Sequence, residues 1–208
     1  MKDVLLHNIA CAILAGGKSS RMGVYKAIVK YKGKELILYL LEELYNIFDD
    51  IVISVSNSSQ LRLLLNTIGN YENIRVLIDP IVRIRSPLVG LLTCLTGVHK
   101  EYVFVVACDM PYVSRKVVLH LYRQLERDEL DAVVPRWPNG FLEPLCAIYR
   151  RATTLKKLMD RICLNDHSMR GLINSLKSVK YLSIEQLREQ GIEPKVFYNI
   201  NKLHEIEI

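Results

Sequence analysis

The sequence contains no C-x-x-C pair. Its five cysteines, Cys11, Cys94, Cys108, Cys146 and Cys163, are scattered, so the ligand spacing of a structural zinc site is missing. An odd count placed in apolar runs predicts buried thiols in a reducing compartment. The five histidines show no metal spacing either. No apolar run reaches the roughly 18 residues of a spanning helix, so no membrane-spanning helix is expected in these residues. The apolar start MKDVLLHNIACAILAGG carries Asp3 and runs straight into a glycine pair; it reads as a strand and not as a signal peptide. The expected location is therefore cytoplasmic. No basic run is long enough for a nucleic-acid arm. Aromatics are not interleaved with cations as on a single-strand platform, so neither nucleic acid nor membrane is an expected partner. No repeat, low-complexity tract or linker divides the 208 residues, and one domain is expected.

What the sequence has is a globular balance with a positive excess. Half the residues are hydrophobic and 24% are charged, with a formal charge of +6. That surplus favours an anionic partner. Its focus is Ala12 to Lys26, AILAGGKSSRMGVYK, an apolar run that breaks at Gly16-Gly17 and then carries Lys18, Arg21 and Lys26. Glycines let a backbone approach an anion, and exposed N–H groups donate to it. Cations neutralise phosphate oxygens. Two familiar phosphate loops are excluded. A Walker A loop needs glycine where Ala12 stands, and Gly16, Gly17 and Gly23 do not make the G-x-G-x-x-G spacing. The alternative for the stretch is an ordinary glycine turn with solvated cations.

Downstream, strand-like and helix-like segments alternate. Strands are expected at Asn8 to Leu14, Ile51 to Ser56, Ile74 to Ile78 and Tyr102 to Ala107, with a short extended piece at Ala27 to Tyr31. Helices are expected at Glu35 to Phe48, at Ser59 to Ile68 behind a Ser58 cap, and from Pro87 to about Val98. The second half suggests a helix capped by Ser114, extended segments at Asp131 to Arg136 and Phe141 to Tyr149 around a Pro138-Asn139-Gly140 turn, and helices at Arg151 to Arg161 and Ser168 to Leu176. It closes with a strand at Val179 to Leu182, a helix capped by Ser183, and a last strand at Val196 to Ile200. The succession predicts an α/β fold, a mostly parallel sheet with helices on both faces. Ligands then bind at the carboxyl ends of the strands. The glycine loop, Asp79 and Asp109 each fall just past such an end and should converge.

Several residues can carry chemistry there. Asp109, fixed by Pro111, can hold a divalent cation, or cap the next helix. Magnesium prefers carboxylate oxygens plus substrate phosphates. Asn199 and Asn201 flank Ile200, so an extended strand would point both side chains to one face. Asp79 either binds nucleotide or metal, or turns the chain before Pro80. Arg83 and Arg85 either clamp a second anion or form a basic surface. Glu143, before Pro144, can point into the cleft from the second half.

Together these segments resemble the molybdenum-cofactor guanylyltransferase family of small nucleotidyltransferases. LAGGKSSRMG followed by Lys26 matches its signature loop, SPLVGL at Ser86 to Leu91 is similar to its G-P-L-A-G-[IL] segment, and ACDMPY at Ala107 to Tyr112 matches its strand-end C-D-x-P. EPLCAIY at Glu143 to Tyr149 and NIN at Asn199 to Asn201 match two later segments. Departures are Tyr25 in place of the usual Asp, Ser86 in place of Gly, Cys146 in place of an often-seen His, and the tail after Asn201.

The resemblance implies a Rossmann-like, nucleotide-diphospho-sugar transferase-like fold, with a nucleotide half at about 1–112 and a second-substrate half at about 113–208. It implies transfer of GMP from GTP to molybdopterin with release of pyrophosphate and with Mg²⁺ as cofactor. Arg21, Lys26 and Asp109 would be catalytic. Leu14, Ala15, Gly16, Gly17, Lys18, Lys26, Asp79 and Asp109 would bind nucleotide, and Asp109 with Asn201 the metal. Arg83, Arg85 and Glu143 would meet the second substrate. Transient contact with proteins that deliver or accept the cofactor is a further expectation. CMP transfer, another phosphate acceptor, and a non-catalytic nucleotide-binding protein are the alternatives.

Overall fold

The computed structural model describes residues 5–16, 25–80, 86–126 and 129–200. Its first element is β1 (Ile9–Leu14), in which all six side chains are buried. An unbroken apolar run of this kind can be satisfied only as a central strand covered on both faces. A 3-10 turn at Lys26–Ile28 follows, then a small hairpin of β2 (Lys30–Tyr31) and β3 (Lys34–Glu35), reversed at Lys32 and Gly33, both with positive φ. The chain continues through α1 (Leu36–Leu44), β4 (Ile51–Val55), α2 (Ser58–Ile68), β5 (Ile74–Ile78), α3 (Pro87–Gly97) and β6 (Tyr102–Ala107). After α4 (Arg115–Arg123) come β7 (Ala132–Arg136), β8 (Cys146–Arg150), α5 (Arg151–Cys163), α6 (Met169–Ser175), β9 (Val179–Ser183), α7 (Ile184–Glu189) and a 3-10 turn at Pro194–Phe197.

Among the described residues seven strands form one sheet in the order β5-β4-β1-β6-β8-β7-β9. β1 pairs in parallel with β4 and β6, and β4 with β5. β8 runs antiparallel between β6 and β7, and β9 returns parallel to β7. Alternate residues sort the core into two layers. Ile9, Cys11, Ile13, Phe104 and Val106 pack with α1, α4 and α7, while Ala10, Ala12, Val103 and Val105 pack with α3, α5 and α6. The mostly parallel sheet with helices on both faces is therefore observed. Among the described residues no helix is long and apolar enough to cross a membrane.

Local expectations needed six corrections, the last at a cap. Ala27 to Tyr31 is not one extended piece, because its first residues wind into the 3-10 turn. The first helix stops at Leu44, and Phe48 makes an isolated bridge to Leu6. Asn57, not Ser58, caps α2: its side-chain oxygen accepts from the Gln60 amide at 3.0 Å. Phe141 to Tyr149 is a strand only from Cys146, because Pro144 has no N–H to give a ladder and the chain turns at Glu143, whose carbonyl accepts from the Cys146 amide. Val196 to Ile200 is no strand, since Pro194 pre-sets the φ of a helical turn there. The cap sites also carry surprises. Ser114 makes no capping bond, and Glu43 of α1 accepts from the first amide of α4, that of Arg115, at 3.0 Å. Ser183 behaves as expected, in a reciprocal capping box with Gln186.

Candidate active site

The carboxyl ends of β1, β4, β5 and β6 lie side by side. Backbone bonds tie them: the Ala15 amide donates to Ser54, the Asp79 amide to Val55 and the Cys108 amide to Leu14. Gly16 follows directly from β1. Its carbonyl accepts from the Ser56 hydroxyl. A Cβ on Gly16 would stand 2.6 Å from Asp79 Oδ2 and 2.9 Å from Ser56 Oγ. Glycine is required here by close approach, not by backbone conformation, because Gly16 is not in the left-handed region.

Asp79 is half-buried and is held by α3, where the Thr93 hydroxyl donates to its Oδ1 at 2.7 Å. Burial raises the Asp79 carboxyl above its ordinary range, and the Thr93 bond offsets part of the rise. α3 itself is fixed at its start by Ser86. Its hydroxyl oxygen accepts from the Leu88 amide at 3.1 Å and donates to the His167 carbonyl at 2.7 Å. A glycine could supply neither bond, so Ser86 couples the start of α3 to the loop before α6.

Lys26 and Asp109, 83 residues apart, form an ion pair between ammonium and carboxylate Oδ2. Their side chains are only 15% and 16% exposed. Two opposite charges this sheltered interact through a lower effective dielectric than a surface pair. Directly before Lys26, at the start of the 3-10 turn, is Tyr25. It is buried, and its hydroxyl has no hydrogen-bond partner among the described residues. Burial, and then the proximity of Cys108 and Asp79, raise its phenol pKa.

The far side of Asp109 opens on a second feature. The Ile200 amide donates to the Asp109 carbonyl at 2.9 Å, which seats the 197–200 segment against the strand end. Between them is a cleft of about 410 Å³, lined by Tyr31, Tyr112, Trp137, Glu143, Phe197, Tyr198, Asn199 and Ile200. Tyr31 and Tyr112 meet edge to face with their hydroxyls 2.5 Å apart. Trp137 packs edge to face on Phe197, with centroids 6.2 Å apart. Trp137 Nε1 donates to Glu143 Oε1 at 2.5 Å. Burial raises the Glu143 carboxyl, and the Trp137 bond opposes that rise.

The strand-end geometry thus brings together Leu14, Ala15, Gly16, Lys26, Asp79 and Asp109, and it places Glu143 in the adjoining cleft. Gly17, Lys18, Arg21, Arg83, Arg85 and Asn201 lie outside the described residues. Asn199 is on the cleft wall, and the face it was expected to share with Asn201 lies outside the described residues. Ser56, Thr93, Tyr31, Tyr112, Trp137 and Phe197 were not anticipated. Thr93 had a signal, a hydroxyl on the apolar face of LVGLLTCLTG. The aromatics had none, because they come from four widely separated stretches of the chain.

Among the described residues no group of three or more His, Cys, Asp or Glu side chains is placed to hold a metal. Magnesium asks for less, one or two carboxylates with the remaining oxygens from substrate phosphates and water. Asp109, a sheltered carboxylate already facing a cation, fits that need.

The model of the MobA-like NTP transferase domain matches residues 11–179. The chain is 32% identical over 207 residues to a protein of Natranaerobius thermophilus named "Probable molybdenum cofactor guanylyltransferase", covering 96% of this chain and 94% of that one. A Pyrococcus horikoshii protein of the same name is 32% identical over 202 residues, covering 96% and 98%. Among solved structures, molybdopterin-guanine dinucleotide biosynthesis protein A of Archaeoglobus fulgidus superposes with a TM-score of 0.77 at 27% identity, over 95% of this chain and 94% of that one. 4-Diphosphocytidyl-2C-methyl-D-erythritol synthase of Anaerococcus prevotii shares the fold, with a TM-score of 0.69 at 13% identity, over 94% and 91%.

Proposed function

This chain belongs to the MobA-like NTP transferase family of nucleotidyltransferases, and from that membership and the geometry of its strand ends we propose that it transfers GMP from GTP to molybdopterin and releases pyrophosphate. The observation that carries the reading is the Lys26–Asp109 pair. It joins the lysine of the signature loop to the strand-end aspartate, between a glycine-lined approach on the β1/β5 side and an aromatic cleft on the β7/β8 side.

The acceptor's terminal phosphate attacks the α-phosphorus of GTP in line. A phosphate monoester has a second pKa of about 6 and is largely ionised at neutral pH, so no general base is required. The protein's work is positioning and charge neutralisation. Gly16 lets the nucleotide approach the backbone, and Asp79, oriented by Thr93, accepts hydrogen bonds from it. Lys26, with Lys18 and Arg21, neutralises the triphosphate and the departing pyrophosphate. Asp109, with Asn201, would hold Mg²⁺, which when bound supplies further positive charge at the phosphates. The acceptor enters from the Glu143 side, and Arg83 and Arg85 are further candidates to meet its phosphate.

Pyrophosphate release with molybdopterin and Mg²⁺ tests the reading, with GTP compared against CTP and ATP. Preference for GTP is the expected result. Preference for CTP replaces the named product, and release with no nucleotide overturns the reading.

A further inference from the structure

The cleft beyond Asp109 is built unlike the rest of the site. A phosphate pocket offers N–H groups and cations. This one offers ring faces, the tyrosine hydroxyls, the Asn199 amide and, as its one charged side chain, a carboxylate. Tyr31 and Tyr112 stand on one side, cross-linked through their hydroxyls. Trp137 and Phe197 stand on another, mutually packed. Rings fixed in this way lose little freedom when a flat ligand slides against them. A volume of about 410 Å³ suits a fused bicycle with a short tail.

The carboxylate is aimed as well as sheltered. Trp137 occupies Glu143 Oε1, while Oε2 accepts nothing among the described residues. The Glu143 backbone is fixed by its amide bond to the Pro135 carbonyl at 3.0 Å and by the turn to Cys146. An ionised carboxylate only accepts, so its ligand must present donors. Among planar fused-ring groups, a 2-aminopyrimidin-4-one presents two adjacent donors on one edge, with its ring N–H beside an exocyclic amine. A pterin and a guanine share that edge. The sheet order separates them. Gly16 and Asp79 lie on the β1/β5 side of Asp109, and the cleft lies on the β7/β8 side.

We infer that the cleft formed by Tyr31, Tyr112, Trp137 and Phe197 receives the pterin ring system of the acceptor, and that the Glu143 carboxylate reads its 2-amino-4-oxo edge. The inference rests on the transferase reading for the identity of the acceptor. The ring stacks on the aromatic faces, its amine and ring N–H donate to Glu143, and its phosphate tail runs back toward Asp109.

Trp137 is the only tryptophan in the chain, so the full-length protein carries its own reporter. The probe is 6-hydroxymethylpterin, titrated against tryptophan fluorescence, with the matching lumazine, in which oxygen replaces the 2-amine, as control. Saturable quenching by the pterin is expected, with binding of the lumazine at least about tenfold weaker, the loss of one charge-assisted hydrogen bond. GTP at saturating concentration should leave the pterin titration unchanged. Glu143→Gln should weaken pterin binding by a similar factor and raise KM for molybdopterin without raising KM for GTP. Tyr31→Leu should weaken pterin and lumazine alike, because it removes stacking and not edge recognition. Equal affinity for pterin and lumazine, unchanged pterin affinity in Glu143→Gln, or displacement of the pterin by GTP would each overturn the inference. Molybdopterin turnover without any pterin quenching would place the ring elsewhere and leave the transferase reading standing. Quenching without pyrophosphate release from any nucleotide would uphold the cleft and overturn the transferase reading.

Discussion

Replacing Gly16 by alanine puts a methyl group into a close approach between the ends of β1, β4 and β5, on the side proposed to take the nucleotide. The new Cβ would lie 2.6 Å from Asp79 Oδ2, 2.9 Å from Ser56 Oγ and 3.4 Å from the Ser56 amide nitrogen. Ordinary contact begins at 3.4 Å, so the carboxylate must retreat by roughly 0.8 Å, the difference between 3.4 and 2.6 Å. Overpacking of this kind costs about 1–3 kcal/mol. Both crowded oxygens sit on movable side chains, so the fold survives with Asp79 turned away from its Thr93 partner. The cost should therefore appear twice, as lost stability and as weaker GTP binding. Asp79→Ala removes the nearer obstacle, and the double variant Gly16→Ala/Asp79→Ala should recover part of the penalty. A coupling of about 1–2 kcal/mol opposite in sign to the single losses is expected. Urea unfolding followed by Trp137 fluorescence measures the stability cycle, and calorimetric titration with GTP measures binding. Strict additivity, or a Gly16→Ala protein with unchanged stability and GTP affinity, would refute the close approach on which the nucleotide side is built.

Other perturbations separate chemistry from architecture. Asp109→Asn should lower kcat by about a hundredfold or more while circular dichroism shows the fold retained, and unchanged turnover would remove Asp109 from the reaction. Lys26→Ala should weaken GTP binding and slow turnover, and unaltered kinetics would move the phosphate site. Asp79→Asn tests a buried charge. Because the folded-state pKa is raised, ionisation of Asp79 works against the fold above that pKa; the variant should melt higher than the parent at pH 7 and lose that advantage as pH falls below the ordinary carboxylate value of about 3.9. Asp131 is the opposite case. Burial pushes its pKa up, but the Ser178 amide, Thr153, the Lys177 amide and Arg150 outweigh it and hold it low. Its Oδ2 accepts from the Lys177 and Ser178 amides at 2.9 and 3.1 Å. Asp131→Ala should cost about 2–3 kcal/mol at pH 7. The gap to the parent should shrink as pH falls through the lowered folded-state value, and a gap that widens on acidification would contradict the assignment.

The legible part of this molecule was the part governed by local pattern. Ile9–Leu14 and Tyr102–Ala107 are apolar throughout, and only the middle of a covered sheet accommodates such runs. Asp79 and Asp109 stood at strand ends because the apolar runs before them ended there, so their convergence followed from parallel topology alone. The position of β8 was not legible. CAIY is as apolar as a parallel central strand, and nothing in its side chains records that it runs antiparallel between β6 and β7. The last strand misled because VFYNI has strand composition, while Pro194 two residues earlier decides the local backbone. The cleft was invisible for a topological reason. Tyr31, Tyr112, Trp137 and Phe197 come from four separate stretches of chain, and the docking of the 197–200 segment on Asp109 helps to bring them around one cleft. Glu143 alone announced itself, through the proline that follows it. Tyr25 was read as a departure from a familiar pattern. The fold makes it a buried phenol beside Asp79 and Cys108, a position where an ionised carboxylate would meet a second one.

The central claim is that the α-phosphoryl group of GTP passes to an acceptor phosphate. GTP labelled at the α-phosphorus, incubated with the protein, Mg²⁺ and molybdopterin, tests it most directly. The account predicts that label enters a pterin–guanine dinucleotide and that GTP labelled at the γ-phosphorus delivers all of its label to pyrophosphate. Label recovered as free GMP, or γ-label in the pterin product, would contradict it.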